Sequence, residues 1–168
     1  MKKNLKYVIT LGLCTLFSIS CQRELLNPTP QTSVTDATAF DTPSRILNQV
    51  LSLYGALKSG QFYGGRAVVY GDIRGEDFIN ETTNLVTSSD VWNNNPTNSA
   101  TAVVNLWSQA YYTINICNIF LEGMASKGTT VVGTSLAANY VAEAKLVRAL
   151  CYYTLLQYYA LTNFASAT

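Results

Sequence analysis

The chain is 168 residues long, carries a formal net charge of +1, has only 12% charged residues and contains no histidine. That length suits one domain, and a charge so near zero provides no basic field to draw in nucleic acid. The missing histidine removes the common Ser-His-Asp and Cys-His nucleophile arrangements and the commonest metal ligand, and no catalytic residue, metal or cofactor is assigned.

Lys2, Lys3 and Lys6 form a positive start, and Tyr7 to Ile19 follow without a charge. The run matches the roughly 7–15 residues of a signal-peptide core. It falls short of the roughly 18–20 apolar residues that a membrane-spanning helix needs. Ser18-Ile19-Ser20-Cys21 closes the segment and is similar to a bacterial lipobox, with Ser18 where such motifs usually carry Leu. The reading is a signal peptide over residues 1–20 and a lipid on Cys21. Residues 21–35, with Pro28 and Pro30, then form a lipid-anchored tether. In the remainder only Cys117 and Cys151 carry thiols. They either pair in an oxidising compartment or sit as small buried apolar residues, the more frequent case.

Thr42-Pro43 supplies an N-cap followed by proline at the first helical position. Ile46, Leu47, Val50, Leu53, Tyr54 and Leu57 recur at helical spacing, which predicts a helix over residues 43–58 with Gly60 as its stop. Residues 60–100 read as a long irregular loop. Gly60, Gly64, Gly65, Gly71 and Gly75 interrupt it, Asp72, Glu76, Asp77 and Glu81 gather its acidic charge, and Asn93-Asn94-Asn95-Pro96 marks a turn after Trp92. A loop of that length in a compact domain is usually functional or disordered.

A second helix is predicted from about Ala100 to Ala125, with Leu106, Ala110, Ile114, Cys117 and Leu121 on one face. Gly128 to Thr134 reads as a short connection. A third helix is predicted from about Leu136 to Leu161, with Tyr140, Ala144, Val147, Cys151 and Leu155 at spacings of four or three. The two long helices make an αα-hairpin, and small residues such as Ala110, Ala142, Ala144 and Ala149 let them approach closely. The fold class is all-α, a tetratricopeptide-like helical repeat with long irregular loops. It reads as incomplete at the C-terminus, because Tyr152, Tyr153, Tyr158, Tyr159 and Phe164 leave an apolar surface that no later element covers.

An ordered series of motifs carries a resemblance. Leu25-Leu26-Asn27-Pro28 follows Cys21, and Leu53-Tyr54-Gly55-Ala56-Leu57 ends the first helix. Tyr70-Gly71-Asp72 comes next, with Asp77 shortly after. Leu106-Trp107 with Tyr111, Tyr112, Ile114, Asn118 and Leu121 follows, and then the run from Ala142 to Tyr153, which contains Glu143-Ala144-Lys145 and Arg148-Ala149. In that order the chain resembles the N-terminal part of the SusD/RagB family of nutrient-binding outer-membrane lipoproteins of Bacteroidetes. Residues 36–168 would then be the N-terminal part of a SusD-like helical domain. The resemblance implies non-catalytic binding of glycans or other nutrients at the outer membrane, with the chain facing the cell exterior. It also implies delivery to a SusC-like TonB-dependent transporter. The ligand class that the resemblance implies is an oligosaccharide or polysaccharide, with peptide as the other option.

Ligand contact is expected from the loop. Trp92 offers a stacking face, Asn93, Asn94 and Asn95 offer paired donors and acceptors for sugar hydroxyls, and Asp72, Arg74 and Asp77 offer charge-assisted hydrogen bonds. The bland reading of Trp92 is a loop anchor. Glu143, Lys145 and Arg148 are expected to bridge helices or face solvent, and Trp107 and Tyr111 to be core aromatics. A glycoside hydrolase using two of Asp72, Glu76, Asp77 and Glu81 is a weaker reading. Clustering in sequence does not hold two carboxyls roughly 5–10 Å apart across a cleft. The main alternative to nutrient capture is a truncated or remnant helical-repeat lipoprotein acting only as a protein-interaction module.

Overall fold

A computed structural model of the chain describes residues 38–75, 77–81, 84 and 88–160. The expected leader and tether, Glu76 and Phe164 lie outside the described residues. Among the described residues the secondary structure is helical, with no strand.

Helix α1 spans Pro43–Leu57. Thr42 caps it, its Oγ1 accepting from the Arg45 backbone N–H at 3.3 Å, and Pro43 takes a first-turn position whose N–H would have no helical partner. Ile46, Val50 and Leu53 are buried from this helix, whereas Leu47, Leu51 and Tyr54 are exposed. Only one edge of the predicted apolar stripe therefore enters the core. Burying side chains such as Ile46 and Leu53 stabilises by roughly 1.5–3 kcal/mol each.

The region from 60 to 100 is not one irregular loop. It contains helix α2, Arg66–Ile73, and a single helical turn α3, Ser89–Trp92. Gly71 lies inside α2 rather than breaking it. Turn hydrogen bonds lead into α2, with the N–H groups of Tyr63 and Arg66 donating to the carbonyls of Leu57 and Gly60. Phe62, Ala67 and Tyr70 are buried there, so tertiary contact outweighs the local cost of glycine.

Helix α4 spans Thr101–Gly123 and buries Ala102, Leu106, Ala110, Thr113, Ile114, Cys117 and Phe120. The expected connection after it is also helical. A π-helical segment, Met124–Gly128, leads into a short helix α5, Thr129–Val132. The Met124 carbonyl accepts from the Thr129 backbone N–H, the wider spacing of a π-helix, and the Thr129 hydroxyl donates to the same carbonyl at 2.8 Å. The chain turns only at Gly133, whose φ of +81° lies in the left-handed region that glycine tolerates. Helix α6 then runs over Thr134–Tyr159.

Helices α4 and α6 form the predicted αα-hairpin, and α1 lies against both. Ala110 and Ala144 are fully buried and permit close approach, whereas Ala142 and Ala149 are exposed and take no part in it. Thr113 and Thr154 are buried polar residues. Each hydroxyl donates 2.8 Å to the carbonyl four residues earlier, Gln109 and Leu150. Glu143 and Arg148 bridge helices as expected. Glu143 accepts from the Tyr54 hydroxyl on α1 at 2.8 Å, and Arg148 donates to Asn118 on α4 at 2.7 Å. Lys145 faces solvent. Cys117 and Cys151 are free, buried thiols.

Two expectations about aromatic residues need correction. Trp107 and Tyr111 are not core residues. Both are 43% exposed, and their rings meet at a tilt of 43° with centroids 4.8 Å apart. At the end of α6, by contrast, Tyr158 and Tyr159 are not left open. Each is partly buried, and their hydroxyls donate to the backbone carbonyls of Ala67 on α2 and Val103 on α4. Tyr152 and Tyr153 are the exposed members of that group.

Candidate functional site

The end of α6 organises the candidate site. Tyr158 reaches the Ala67 carbonyl, and Gly71, one helical turn further along α2, leaves room for it. A Cβ at Gly71 would meet the Tyr158 hydroxyl oxygen at 3.3 Å. Tyr159 donates to Val103 at 2.7 Å and meets Trp107 edge-on at 5.0 Å. Tyr63 shares a 2.7 Å hydrogen bond with Thr154 on α6. On α2, Arg66 donates to the Tyr70 hydroxyl at 2.6 Å and lies 5.9 Å from the centre of its ring. Tyrosine hydroxyls thus tie α2 and α4 to the last turns of α6.

Helix α3 sits beside this frame. Ser89 and Val91 are buried, and Ser88 before them takes a left-handed φ of +59°. The Asn93 side chain donates to the Ser89 carbonyl at 2.7 Å, and the Asn95 backbone N–H donates to the Asp90 backbone carbonyl at 3.0 Å. Asn94 adopts a φ of +53°, a conformation that asparagine reaches more readily than most residues. Its Oδ1 accepts from Arg74 Nε at 2.8 Å. That bond fastens the end of α2 to the turn after α3.

A cavity of about 150 Å³ lies beneath the bridge, lined by Tyr70, Arg74, Asn94, Val103, Tyr158 and Tyr159 among others. A more open space of about 320 Å³ adjoins it, lined by Gly71, Arg74, Gly75, Asn94, Gln157 and Tyr158. The larger space is within the roughly 300–1,000 Å³ usual for ligand sites. Its chemistry is that of a recognition site: one guanidinium, two amides, a phenol and apolar ring surface. Burial pushes the Tyr158 hydroxyl above its ordinary range. The nearby Tyr63 and Asp72 push the same way, while Arg74 opposes them. Burial likewise pushes Tyr159 up to about 12. Both hydroxyls are therefore hydrogen-bond donors at neutral pH.

Among the residues singled out in the sequence, the structure brings Arg74 and Asn94 together at the cleft. Asp72 is exposed and close enough to act on Tyr158. Trp92, Asn93 and Asn95 do not line the cleft. Trp92 is half-buried and its Nε1 donates to the Phe78 carbonyl at 3.0 Å, while Asn93 is held by α3. Asp77 is exposed, as is Glu81. Sequence reading did not place Tyr70, Gln157, Tyr158 or Tyr159 in the site. The signal available was the Gly71 gap together with two adjacent tyrosines, but nothing local links the two.

Residues 25–168 match the SusD-like family described as starch-binding and associating with the outer membrane. The chain belongs to that family. It is 28% identical over 157 residues to SusD-like protein P25 of Formosa agariphila, a match that covers 88% of this chain. The chain spans 28% of the length of that relative. No solved structure matches it significantly.

Proposed function

We propose that the chain is a non-catalytic capture module for glycans at the outer membrane, with the cleft between α2, α3 and the end of α6 as its binding site. The Arg74–Asn94 bridge over an aromatic-lined cavity is the observation that carries this reading. A guanidinium already oriented through Nε keeps its remaining N–H groups for sugar oxygens. Tyr70 and Tyr158 add ring surface, and Asn94 and Gln157 add amide donors and acceptors. Asp72 extends the set at the rim, with Trp92, Asn93, Asn95 and Asp77 on the flanking segments. The family description, starch-binding, points to a neutral α-glucan as the first ligand to try.

In this reading residues 1–20 are removed as a signal peptide, and Cys21 receives a lipid. Residues 21–35 tether the helical part of the molecule, residues 36–168, to the outer leaflet. The captured glycan passes to a SusC-like TonB-dependent transporter. Glycoside hydrolysis needs two carboxyls facing each other across a cleft, and among the described residues no carboxylate lines this one.

Arg74→Ala tests the reading. A hydrogen bond from a charged group contributes about 1.5–3 kcal/mol, so maltooligosaccharide affinity should fall at least about tenfold in calorimetry. Unchanged affinity would remove the cleft from consideration. The second reading, a protein-interaction module, draws on the exposed Leu146, Tyr152, Tyr153 and Leu156 of α6. It gains ground if wild type binds no glycan and Tyr153→Ala releases a co-purifying protein.

A further inference from the structure

A second concavity lies away from the cleft, between α1 and α4. It has a volume of about 540 Å³. Gln49 and Ser52 form one wall, and Tyr112, Ile116 and Ile119 form the other, with Gln109 between them. Among the described residues no charged side chain lines it. The spacing is helical on both sides, so each helix presents one stripe to the groove. Tyr112 is 57% exposed and Ile119 45%, a surface open to a ligand.

The polar groups are already oriented. Gln109 Nε2 donates to the Ala56 carbonyl at 3.2 Å, which fixes the amide and presents its Oε1 as an acceptor. The Ser52 hydroxyl donates to the Gln49 carbonyl at 2.6 Å, which leaves the oxygen lone pairs as acceptors. Gly55 lies along the α1 side, and a Cβ there would meet nothing within 4 Å. The absence of a side chain at Gly55 keeps that side open.

We propose that this groove is a second carbohydrate subsite, which takes a segment of a neutral, linear oligosaccharide. The chemistry selects that ligand class. Amide and hydroxyl groups face one side of the occupant, and an aromatic–aliphatic ridge faces the other. A pyranose chain carries both characters, hydroxyls at its edges and C–H surface on its faces. A charged ligand would find no counter-charge. The proposal rests on the glycan-capture reading for the choice of probe, but its position is independent of the cleft.

The test uses the full chain, calorimetry with maltoheptaose, and three variants. Gly55→Leu fills the groove from an open helical position, and its melting temperature is expected not to fall. Tyr112→Ala removes the exposed ring and carries the test should Gly55→Leu fold poorly. Arg74→Ala alters only the cleft. The expected result is that Gly55→Leu and Tyr112→Ala each weaken maltoheptaose binding about tenfold. If both bind as wild type does while Arg74→Ala is weak, the groove proposal is overturned and the cleft reading stands. If the two groove variants are weak and Arg74→Ala is not, the groove is supported and the cleft reading fails. If Gly55→Leu keeps its glucan affinity but loses a co-purifying outer-membrane protein, the groove is a protein-docking face and the proposal is overturned.

Discussion

Cys117 on α4 and Cys151 on α6 are fully buried and close enough for one to act on the other. Burial pushes the Cys117 thiol up to about 11, with Arg148 opposing, and burial together with Cys117 pushes Cys151 up to about 12. A thiol that holds its proton more tightly when folded contributes stability that is complete below its unfolded value of 9.0. That contribution is lost as the pH rises through the folded values. Unfolding free energy should therefore be flat from neutral pH to about 9 and fall steadily toward 12. The double variant Cys117→Ala, Cys151→Ala should delay the fall to the range where tyrosines titrate, above about 10. Denaturant titrations across that range measure it, and identical profiles for wild type and variant would refute the assignment. Glu143 and Arg148 were legible as bridging residues because charges on a mostly apolar helix need partners. The exposure of Trp107 and Tyr111 was not, since their one-turn spacing fits a core face and an open face equally well.

Close approach is decided between elements. Phe40, just before α1, is buried against α4 and the π-helical segment, its ring 5.9 Å from that of Phe120. A Cβ at Gly123 would fall within the Phe40 ring, and one at Gly128 would come 3.3 Å from it. Beside this contact, Lys127 pairs with Asp41 at the surface, which adds little. Gly123→Ala should cost about 1–3 kcal/mol, because the buried Phe40 ring would have to shift to admit the methyl group. Gly55→Ala, in open space on α1, should instead stabilise by about 0.5–1 kcal/mol. Chemical denaturation of the two variants tests the contrast. The segment from Gly128 to Thr134 reads as a connection because glycine and threonine usually make one. Its first residues are helical instead, with Gly128 packed where a Cβ would meet Met124 and Phe40, and the Thr129 backbone N–H and hydroxyl both donating to the Met124 carbonyl.

For the whole molecule, the proposed arrangement is a lipid-held helical hairpin with α1 and α2 attached and a cleft and a groove on separate elements. Among the described residues no helix is long and apolar enough to cross a membrane. The proposed reading assigns membrane association to a lipid on Cys21. Wild type should partition with membranes and take up a radiolabelled fatty acid, and Cys21→Ser should do neither. Retention of the variant in the membrane fraction with undiminished label would exclude this anchor.

The positions of α1, α4 and α6, the N-cap at Thr42, the αα-hairpin and the family resemblance were all present in the sequence by itself. Each depends on residues near one another along the chain, where a 3.6-residue period or a short ordered motif is visible. The site depends on residues that are not near. Arg74 and Asn94 are 20 residues apart, and Tyr158 meets Ala67 across 91. Only tertiary structure decides which polar groups converge at such separations. The same holds for α2 and α3, whose short helices are held by the tyrosines of α6 and by buried side chains rather than by their own propensity. It holds equally for which aromatic rings are covered, because burial belongs to the neighbour that a folded chain supplies.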